Sequence, residues 1–329
     1  MRSLRTDDHE GFDRPRRSRP RTKDRPDYSK AELARVITID RGRYRCKLDG
    51  RYITCTKARQ LGRGSVIVGD LVRVVGDTSG VEGTLARIVE VTPRDTVLRR
   101  TADDTDPFER PIVANAQQLV IVTALAEPEP RTGMIDRIMV AGLDAGIRPI
   151  LCLTKADLAE PDDLVAAYAP LDVPIVVTEP GADLGELVAL LTDEVSVLVG
   201  HSGVGKSTLV NALIPGVDRA TGEVNEVTGK GRHTSTSAIA LELPGGGWII
   251  DTPGVRSFGL SHVRPESVLA AFPDLVEHTA DCPRGCTHQD DEPECGLDEA
   301  VRADDLSSDR VESFRRLGAV FAGTPDYSR

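Results

Sequence analysis

Residues 195–208 read VSVLVGHSGVGKST, and this stretch decides the fold. Its first five residues, Val195–Val199, form an apolar run that predicts a buried strand, and the apolar positions after Lys206 predict a helix. The residues between them fit the G-x-x-x-x-G-K-[ST] pattern of a phosphate-binding P-loop, which needs a strand before it and a helix after it. Because both flanks are correct, we predict a P-loop fold rather than a glycine-rich turn that fits by chance.

The P-loop pattern assigns a role to each part of this loop. Its glycines let backbone N–H groups curl around a phosphate, and the following helix adds the positive end of its dipole. Lys206 is predicted to reach the β- and γ-phosphates as a catalytic residue, and the Ser207 hydroxyl to bind Mg²⁺. The predicted nucleotide-binding residues of the loop are Gly200, His201, Ser202, Gly203, Val204, Gly205, Lys206, Ser207 and Thr208.

Around this loop, residues 112–260 alternate between predicted strands and helices. The strands are predicted at 118–123, 148–153, 173–178, 195–200, 238–243 and 248–251, and the helices near 134–145, 162–168 and 205–212. This alternation is typical of a mostly parallel sheet with helices on both faces. Ligands of such sheets bind at the carboxyl ends of the strands, so the loops that follow the strands are expected to form the site.

One of these loops, at the end of the predicted strand 148–153, reads Thr154-Lys155-Ala156-Asp157. In guanine-nucleotide proteins the loop reads Asn-Lys-x-Asp; the carboxylate accepts hydrogen bonds from guanine N1–H and N2–H₂, and the lysine stem packs on the base. Adenine lacks that donor pair and would leave Asp157 buried and unpaired. The loop therefore predicts GTP as the nucleotide, with Thr154 in place of Asn. An ATP-dependent kinase or ATPase is the alternative.

Another apolar run, Trp248–Ile250, ends at Asp251 and continues as Thr-Pro-Gly. An acidic residue there is typical of the Walker B role, in which the carboxylate holds Mg²⁺, usually through water. Gly254 would let the backbone approach the γ-phosphate. We therefore predict that Asp251 and Gly254 belong to the nucleotide site, the alternative being a plain strand-to-loop turn.

Residues 229–236, between the P-loop and Asp251, read GKGRHTST. Their glycines and hydroxyls are typical of a switch I loop that orders around Mg²⁺ and a γ-phosphate, and Thr234 and Thr236 are both candidate ligands; an ordinary polar loop is the alternative. Ras-type enzymes orient the attacking water with a Gln after the switch II glycine, where this chain has Val255. We therefore predict slow intrinsic hydrolysis. His233 is the candidate catalytic residue that positions the water, although a loop histidine with another role fits equally well.

Charge is distributed unevenly along the chain. Residues 1–100 carry 24 Lys and Arg and 14 Asp and Glu, whereas residues 101–329 carry 17 and 38, so the net charge of −11 divides into +10 and −21. Short runs rich in Val, Ile and Thr within 34–100 predict a five-stranded barrel of the OB-fold type. A basic barrel beside a basic tail is typical of RNA binding. The alternatives are a solvated tail without a partner and a purely structural barrel.

The C-terminal part contains a compact set of metal-ligating residues. Cys282, Cys286, His288 and Cys295 supply three thiolates and one imidazole within 14 residues, which is a Cys₃His set for tetrahedral Zn²⁺. The acidic residues around them offer little apolar packing, so a metal is expected to order this segment. Free surface thiols are the alternative. The other cysteines, Cys46, Cys55 and Cys152, lie in strand-like runs and are predicted to be buried.

The order of the nucleotide motifs is unusual, because the loop that would recognise the base, residues 154–157 (the base-reading loop), precedes the P-loop at 200–208. Ordinary GTPases have the P-loop first, so this order resembles the circularly permuted GTPases. The chain is similar to one family among them, the RsgA (YjeQ) family of small-ribosomal-subunit biogenesis GTPases. The likeness includes Val68-Gly69-Asp70, Ala114-Asn115, Ile135-Asp136-Arg137 and the Gly-Arg-His-Thr run at 231–234.

The resemblance implies a protein that binds the small (30S) ribosomal subunit and its 16S rRNA. In this family GTP is hydrolysed to GDP and phosphate during late assembly, and the subunit stimulates hydrolysis. It also implies GTP or GDP with Mg²⁺ and one structural Zn²⁺ on the same four ligands. A nucleotide-gated RNA-binding module, in which turnover is incidental, stays open as a different class of function.

These observations predict a multidomain fold class: an N-terminal OB-fold β-barrel, a circularly permuted α/β P-loop GTPase domain and a mostly α zinc-binding domain. The predicted bounds are 1–33 for a disordered basic tail, 34–100 for the barrel, 101–260 for the GTPase domain and 261–329 for the zinc domain. No apolar stretch approaches the roughly 20 residues of a membrane-spanning helix. We therefore expect a cytoplasmic protein. We also expect it to be a monomer.

Overall fold

A computed structural model describes residues 27–62, 64–101, 104, 108–217, 238–255, 258–290 and 292–321. Most of the predicted tail, residues 1–26, lies outside the described residues. The same holds for the predicted switch I loop, with its candidates His233, Thr234 and Thr236.

The first five strands close into a small barrel. They are β1 (Glu32–Asp40), β2 (Arg43–Leu48), β3 (Arg51–Lys57), β4 (Leu71–Gly76) and β5 (Ala86–Val91), in the order β1-β2-β3-β5-β4 with β4 returning to β1. All pairs are antiparallel except β3 with β5. Alternate side chains point inward, so that Cys46 and Cys55 lie in the barrel core as expected. The predicted five-stranded barrel is confirmed.

A two-stranded hairpin, β6 (Val97–Arg100) with β7 (Arg110–Ala114), connects the barrel to the central sheet. No pattern in the sequence predicted this hairpin. Its first strand ends at Arg100 and its second begins at Arg110, so the hairpin lies on both sides of the boundary expected between the barrel and the GTPase domain.

The central sheet has six strands in the order β10-β9-β8-β11-β13-β12. In chain order they are β8 (Gln118–Ala124), β9 (Arg148–Thr154), β10 (Ile175–Val177), β11 (Val195–Val199), β12 (Ile239–Glu242) and β13 (Trp248–Asp251). Every neighbouring pair is parallel except β12 with β13. All residues of β8 and β11 are buried, as a strand covered on both faces requires. The predicted parallel α/β sheet is confirmed.

Helices α1 (Thr132–Asp144), α2 (Asp162–Tyr168), α3 (Gly185–Leu191) and α4 (Lys206–Leu213) connect these strands. Helix α3 was not predicted. Strand β10 is shorter than the predicted 173–178, and it begins just after Pro174, which has no N–H to donate to a neighbouring strand.

Four further helices form the C-terminal part: α5 (Pro265–Leu269), α6 (Pro273–Glu277), α7 (Gly296–Arg302) and α8 (Ser308–Ala319). Their buried side chains belong to the same hydrophobic cluster as those of α1 and the central sheet. Phe272 and Phe314 meet edge to face within it, with ring centroids 5.7 Å apart. Within the described ranges, no helix combines the length and apolarity needed to cross a membrane.

The barrel is joined to the end of β7 through Gly69. This glycine has φ +90°, and a Cβ added to it would lie 2.1 Å from the Ala114 carbonyl oxygen. The Asn115 amide donates to the Gly69 carbonyl at 3.1 Å, and the fully buried Asp70 carboxylate accepts two bonds from Arg94 at 2.6 and 2.8 Å. The Val68-Gly69-Asp70 and Ala114-Asn115 segments therefore form one junction, which tolerates only glycine at position 69.

Candidate functional site

The P-loop lies between β11 and α4, as the sequence predicted. Gly200 lies so close to β8 that an added Cβ would be 2.2 Å from the Val122 carbonyl oxygen. Gly203 and Gly205 adopt φ of +85° and +90°, and Val204 between them is buried. Because side chains other than hydrogen are strained or excluded at these three positions, the glycines fix the path of the loop. Ser207 and Thr208 fall in the first turn of α4.

Lys206 lies beneath the loop with its side chain largely buried. Its ammonium donates to the carbonyl oxygens of Gly200 and His201 at 2.8 and 2.9 Å. Burial lowers the pKa of Lys206, and the nearby Asp251 carboxylate opposes that shift. A buried cation held by two neutral oxygens would gain from an anion placed beside it, which is what a phosphate supplies.

The turn after β13 is bonded to the P-loop. Asp251 ends β13 opposite Leu198, and the Thr252 hydroxyl donates to the Leu198 carbonyl at 2.7 Å. The N–H of Val255 donates to the Gly200 carbonyl at 3.1 Å. A Cβ on Gly254 would lie 3.0 Å from Ser202 N and Cα, so the glycine permits this close approach. The structure thus brings the predicted Asp251 and Gly254 to the phosphate loop; Thr252 is a contributor that the sequence analysis missed.

The base-reading loop begins at the end of β9 and is also bonded to the P-loop. The buried Thr154 hydroxyl donates to the Val204 carbonyl at 2.6 Å. A hydroxyl has a single proton to donate, and here that proton bonds to a carbonyl 50 residues further along the chain. Thr154 therefore provides a side-chain brace to the phosphate loop from the position where guanine-nucleotide proteins have Asn.

The rest of this loop is shaped by backbone contacts. Lys155 adopts φ +61°, and its ammonium donates to the Glu127 carbonyl. The N–H of Ala156 donates to the Thr178 carbonyl at 3.2 Å, which ties the loop to the end of β10. Asp157 is exposed at the edge of the loop, where a base could reach its carboxylate. Glu127 is a further contributor for which the sequence carried no signal.

The four predicted metal ligands converge in the C-terminal part. The Sγ atoms of Cys282, Cys286 and Cys295 lie 3.6, 3.4 and 3.8 Å from Nδ1 of His288, and all four ligand atoms lie within 4.8 Å of one another. Tetrahedral Zn²⁺ with usual bond lengths places sulfur and nitrogen ligands about 3.6 Å apart. The donor set and its spacing therefore fit one zinc ion bound through Nδ1.

Replacement of Lys206 by Ala is expected to weaken GDP binding by about 10- to 100-fold, because charge-assisted hydrogen bonds contribute about 1.5–3 kcal/mol. The temperature of unfolding without nucleotide should change little, since removal of a buried charge offsets the loss of its two hydrogen bonds. Titration with a fluorescent GDP derivative measures the first effect and calorimetry the second. Lys57→Ala, on the barrel, is the control and should bind GDP normally; normal binding by Lys206→Ala would contradict the assignment.

Replacement of Thr154 by Val removes the brace while keeping the shape of the side chain. The Val204 carbonyl then loses its donor, at a cost of about 1–3 kcal/mol, and GDP affinity should fall by about tenfold. Thr154→Asn restores a donor and should retain the wild-type affinity. The same titration distinguishes the two variants, and equal affinities for Val and Asn would show that the brace has no role in nucleotide binding.

Comparison with known proteins gives consistent results. The sequence model of the RsgA GTPase family matches residues 91–261. A protein of Azotobacter vinelandii named "Small ribosomal subunit biogenesis GTPase RsgA" is 44% identical over 227 residues, covering 66% of this chain and 65% of that protein. A protein of the same name from Pseudomonas aeruginosa is 38% identical over 288 residues, covering 85% of this chain and 82% of its own.

Solved structures show the same likeness. The crystal structure of YjeQ from Thermotoga maritima has a TM-score of 0.65 and 26% identity, covering 89% of this chain and 99% of its own. The structure of YloQ, described as a circularly permuted GTPase, shares the fold with a TM-score of 0.64 at 23% identity, covering 92% and 100% of the two chains. The family match spans the base-reading loop, the P-loop and the Asp251 turn, and this chain belongs to the RsgA GTPase family of GTP-hydrolysing enzymes.

Proposed function

We propose that this protein binds the small (30S) ribosomal subunit during its late assembly and that the subunit stimulates hydrolysis of GTP to GDP and phosphate. The observation that carries the proposal is that the P-loop, the base-reading loop and the Asp251 turn lie at one edge of the sheet, in a chain with permuted motif order. The relatives of this chain are named for biogenesis of the small subunit. We propose three domains: a basic OB-fold barrel at 34–100, a GTPase domain at 101–260 and a zinc domain at 261–329. We place its action in the cytoplasm, as a monomer.

Within the nucleotide site, the P-loop N–H groups would hold the β-phosphate and the Lys206 ammonium would bridge the β- and γ-phosphates. Ser207 and Asp251 are the residues that would hold Mg²⁺, which when bound neutralises charge developing on the phosphates. Asp157 would accept the N1–H and N2–H₂ donors of guanine, with Thr154, Lys155 and Ala156 shaping the loop. These assignments follow from placement of the side chains at one edge of the sheet.

The position that carries the water-orienting Gln in Ras-type enzymes is apolar here. Val255 is buried, and its N–H is already bonded to the Gly200 carbonyl. Its side chain has no group that can orient a water molecule. We therefore assign that task to His233, with Thr234 or Thr236 on Mg²⁺, and propose that the ribosomal subunit brings His233 to the water. Slow hydrolysis in the absence of the subunit follows from this arrangement.

The outer face of the barrel supports contact with 16S rRNA. Tyr52 is exposed there, with the Arg45 guanidinium 4.7 Å from its ring centroid, whereas the nearby Lys47 ammonium is paired with Glu242. Cations beside an exposed aromatic ring suit a nucleic-acid backbone with an unstacked base. Affinity for the subunit would then fall steeply as salt concentration rises.

GTP hydrolysis measured with and without purified small subunits tests the proposed function. We expect a rate that rises with subunit concentration in the wild type, and His233→Ala should keep the intrinsic rate while losing the stimulation. Lys206→Ala should lose both rates, which controls for contaminating GTPases. A wild-type rate that is unaffected by subunits would contradict the proposal.

We also propose that Cys282, Cys286, His288 and Cys295 hold one structural Zn²⁺. Metal analysis of the purified protein should find one zinc per chain, and Cys286→Ser should lose it, because a site with three ligands binds far more weakly. Cys152→Ser alters a buried thiol in the central sheet and should retain the zinc. Zinc content that is unchanged in Cys286→Ser would contradict this assignment.

A further inference from the structure

Arg137 on α1 is almost completely buried, with 2% of its surface exposed. It belongs to the Ile135-Asp136-Arg137 segment, for which neither the nucleotide site nor the zinc cluster gives a role. Its guanidinium binds three separate parts of the chain: Nε donates to the Phe258 carbonyl at 2.7 Å, Nη1 to the Val320 carbonyl at 3.3 Å, and Nη2 to the Asp104 carboxylate. A buried guanidinium is tolerated only with such partners, so the three segments are fixed relative to α1.

Phe258 lies four residues beyond Gly254, on the chain that leaves the turn beside the P-loop. That chain is held at several points besides Arg137. Thr101 and Gly259 exchange two backbone hydrogen bonds of 3.3 Å, and the N–H of Leu260 donates to Asp104 at 2.9 Å. Displacement of residues 258–260 would therefore act directly on Arg137 and Asp104.

Val320 immediately follows α8, so the same guanidinium also holds the end of that helix. Helix α8 carries Arg315, whose side chain is 11% exposed. Arg315 donates to the carbonyl of the zinc ligand His288 at 3.0 Å and to Asp298, in the first turn of α7, at 2.8 Å. Contacts thus run from Phe258 through Arg137 and α8 to the zinc cluster.

We propose that Arg137 is a positioning residue that couples the Gly254 turn to the placement of α8 and the zinc cluster. This rests on the proposed function, because it takes the turn to change with the nucleotide. GTP and GDP would give the Phe258 carbonyl different positions, and Arg137 would transmit the difference to the end of α8. The part of the protein expected to face the ribosomal subunit would then respond to nucleotide state.

Hydrogen exchange of residues 308–319 in the full-length protein, bound to GDP or to a non-hydrolysable GTP analogue, tests this coupling without any ribosomal subunit. The wild type should show exchange rates that differ at least about fivefold between the two states, the lower end of usual coupling between sites. Arg137→Met should abolish the difference. Arg137→Lys keeps the charge but cannot reach three partners at once, so it should reduce the difference in exchange rate between the two states. If the Met variant fails to fold, the Lys variant tests the coupling.

Arg310→Met is the matched control. Arg310 also ties α8 to the rest of the fold, through the Pro170 carbonyl at 2.8 Å and the Asp274 carboxylate at 2.9 Å, but neither partner belongs to residues 251–260. It should weaken protection of α8 in both states while keeping the nucleotide-dependent difference. The coupling would be overturned by a wild type with no difference, by Arg137→Met retaining it, or by Arg310→Met losing it equally. Failure of subunit-stimulated hydrolysis would instead contradict the proposed function, which this exchange experiment does not measure.

Discussion

Strands β8, β9, β11 and β13 run parallel, so their carboxyl ends meet at one edge of the sheet, and the site depends on this constraint. Val197 of β11 is in register with Leu119 of β8 on one side and Ile250 of β13 on the other. Consequently the P-loop, the base-reading loop and the Asp251 turn emerge side by side, whatever their order along the chain. This explains how a permuted sequence can form the same nucleotide edge: the chemistry requires the edge, and the connections between strands are free to differ.

Parallel register brings the loops to the same edge of the sheet, and hydrogen bonds between the loops fix their positions relative to one another. The Thr154 hydroxyl joins the base-reading loop to the P-loop, and the Val255 N–H joins the Asp251 turn to it. Each such hydrogen bond contributes about 0.5–1.5 kcal/mol net, a modest amount, but an unmet buried carbonyl would cost more. The glycines at 200 and 254 allow this approach, because a Cβ at 200 would collide with the Val122 carbonyl and one at 254 would press against the Ser202 backbone.

The sequence was sufficient for features that depend on local patterns. The P-loop, the strand and helix that flank it, the barrel and the clustering of three cysteines with His288 could all be predicted, because each depends on patterns of residues close together in sequence. The hairpin of β6 and β7 was missed because its strands have only four and five residues and lie nine residues apart in the chain. Helix α3 was also missed, although α2, of the same length, was predicted. The role of Thr154 could not be predicted: its departure from Asn is visible in the sequence, but its partner Val204 is 50 residues away.

The circular permutation also changes what the chain after the nucleotide turn can do. Because the P-loop and the Asp251 turn come late in the sequence, the chain that leaves the turn enters the C-terminal helices within about ten residues. A short connection transmits motion only if something fixes its far end, since a free segment would absorb the displacement as backbone rotation. Arg137 supplies that fixed point from α1, which precedes the P-loop in sequence and packs against α5 and α8. The permuted order and the buried guanidinium therefore belong to one arrangement, in which an early helix holds the chain after the nucleotide turn against the C-terminal helices.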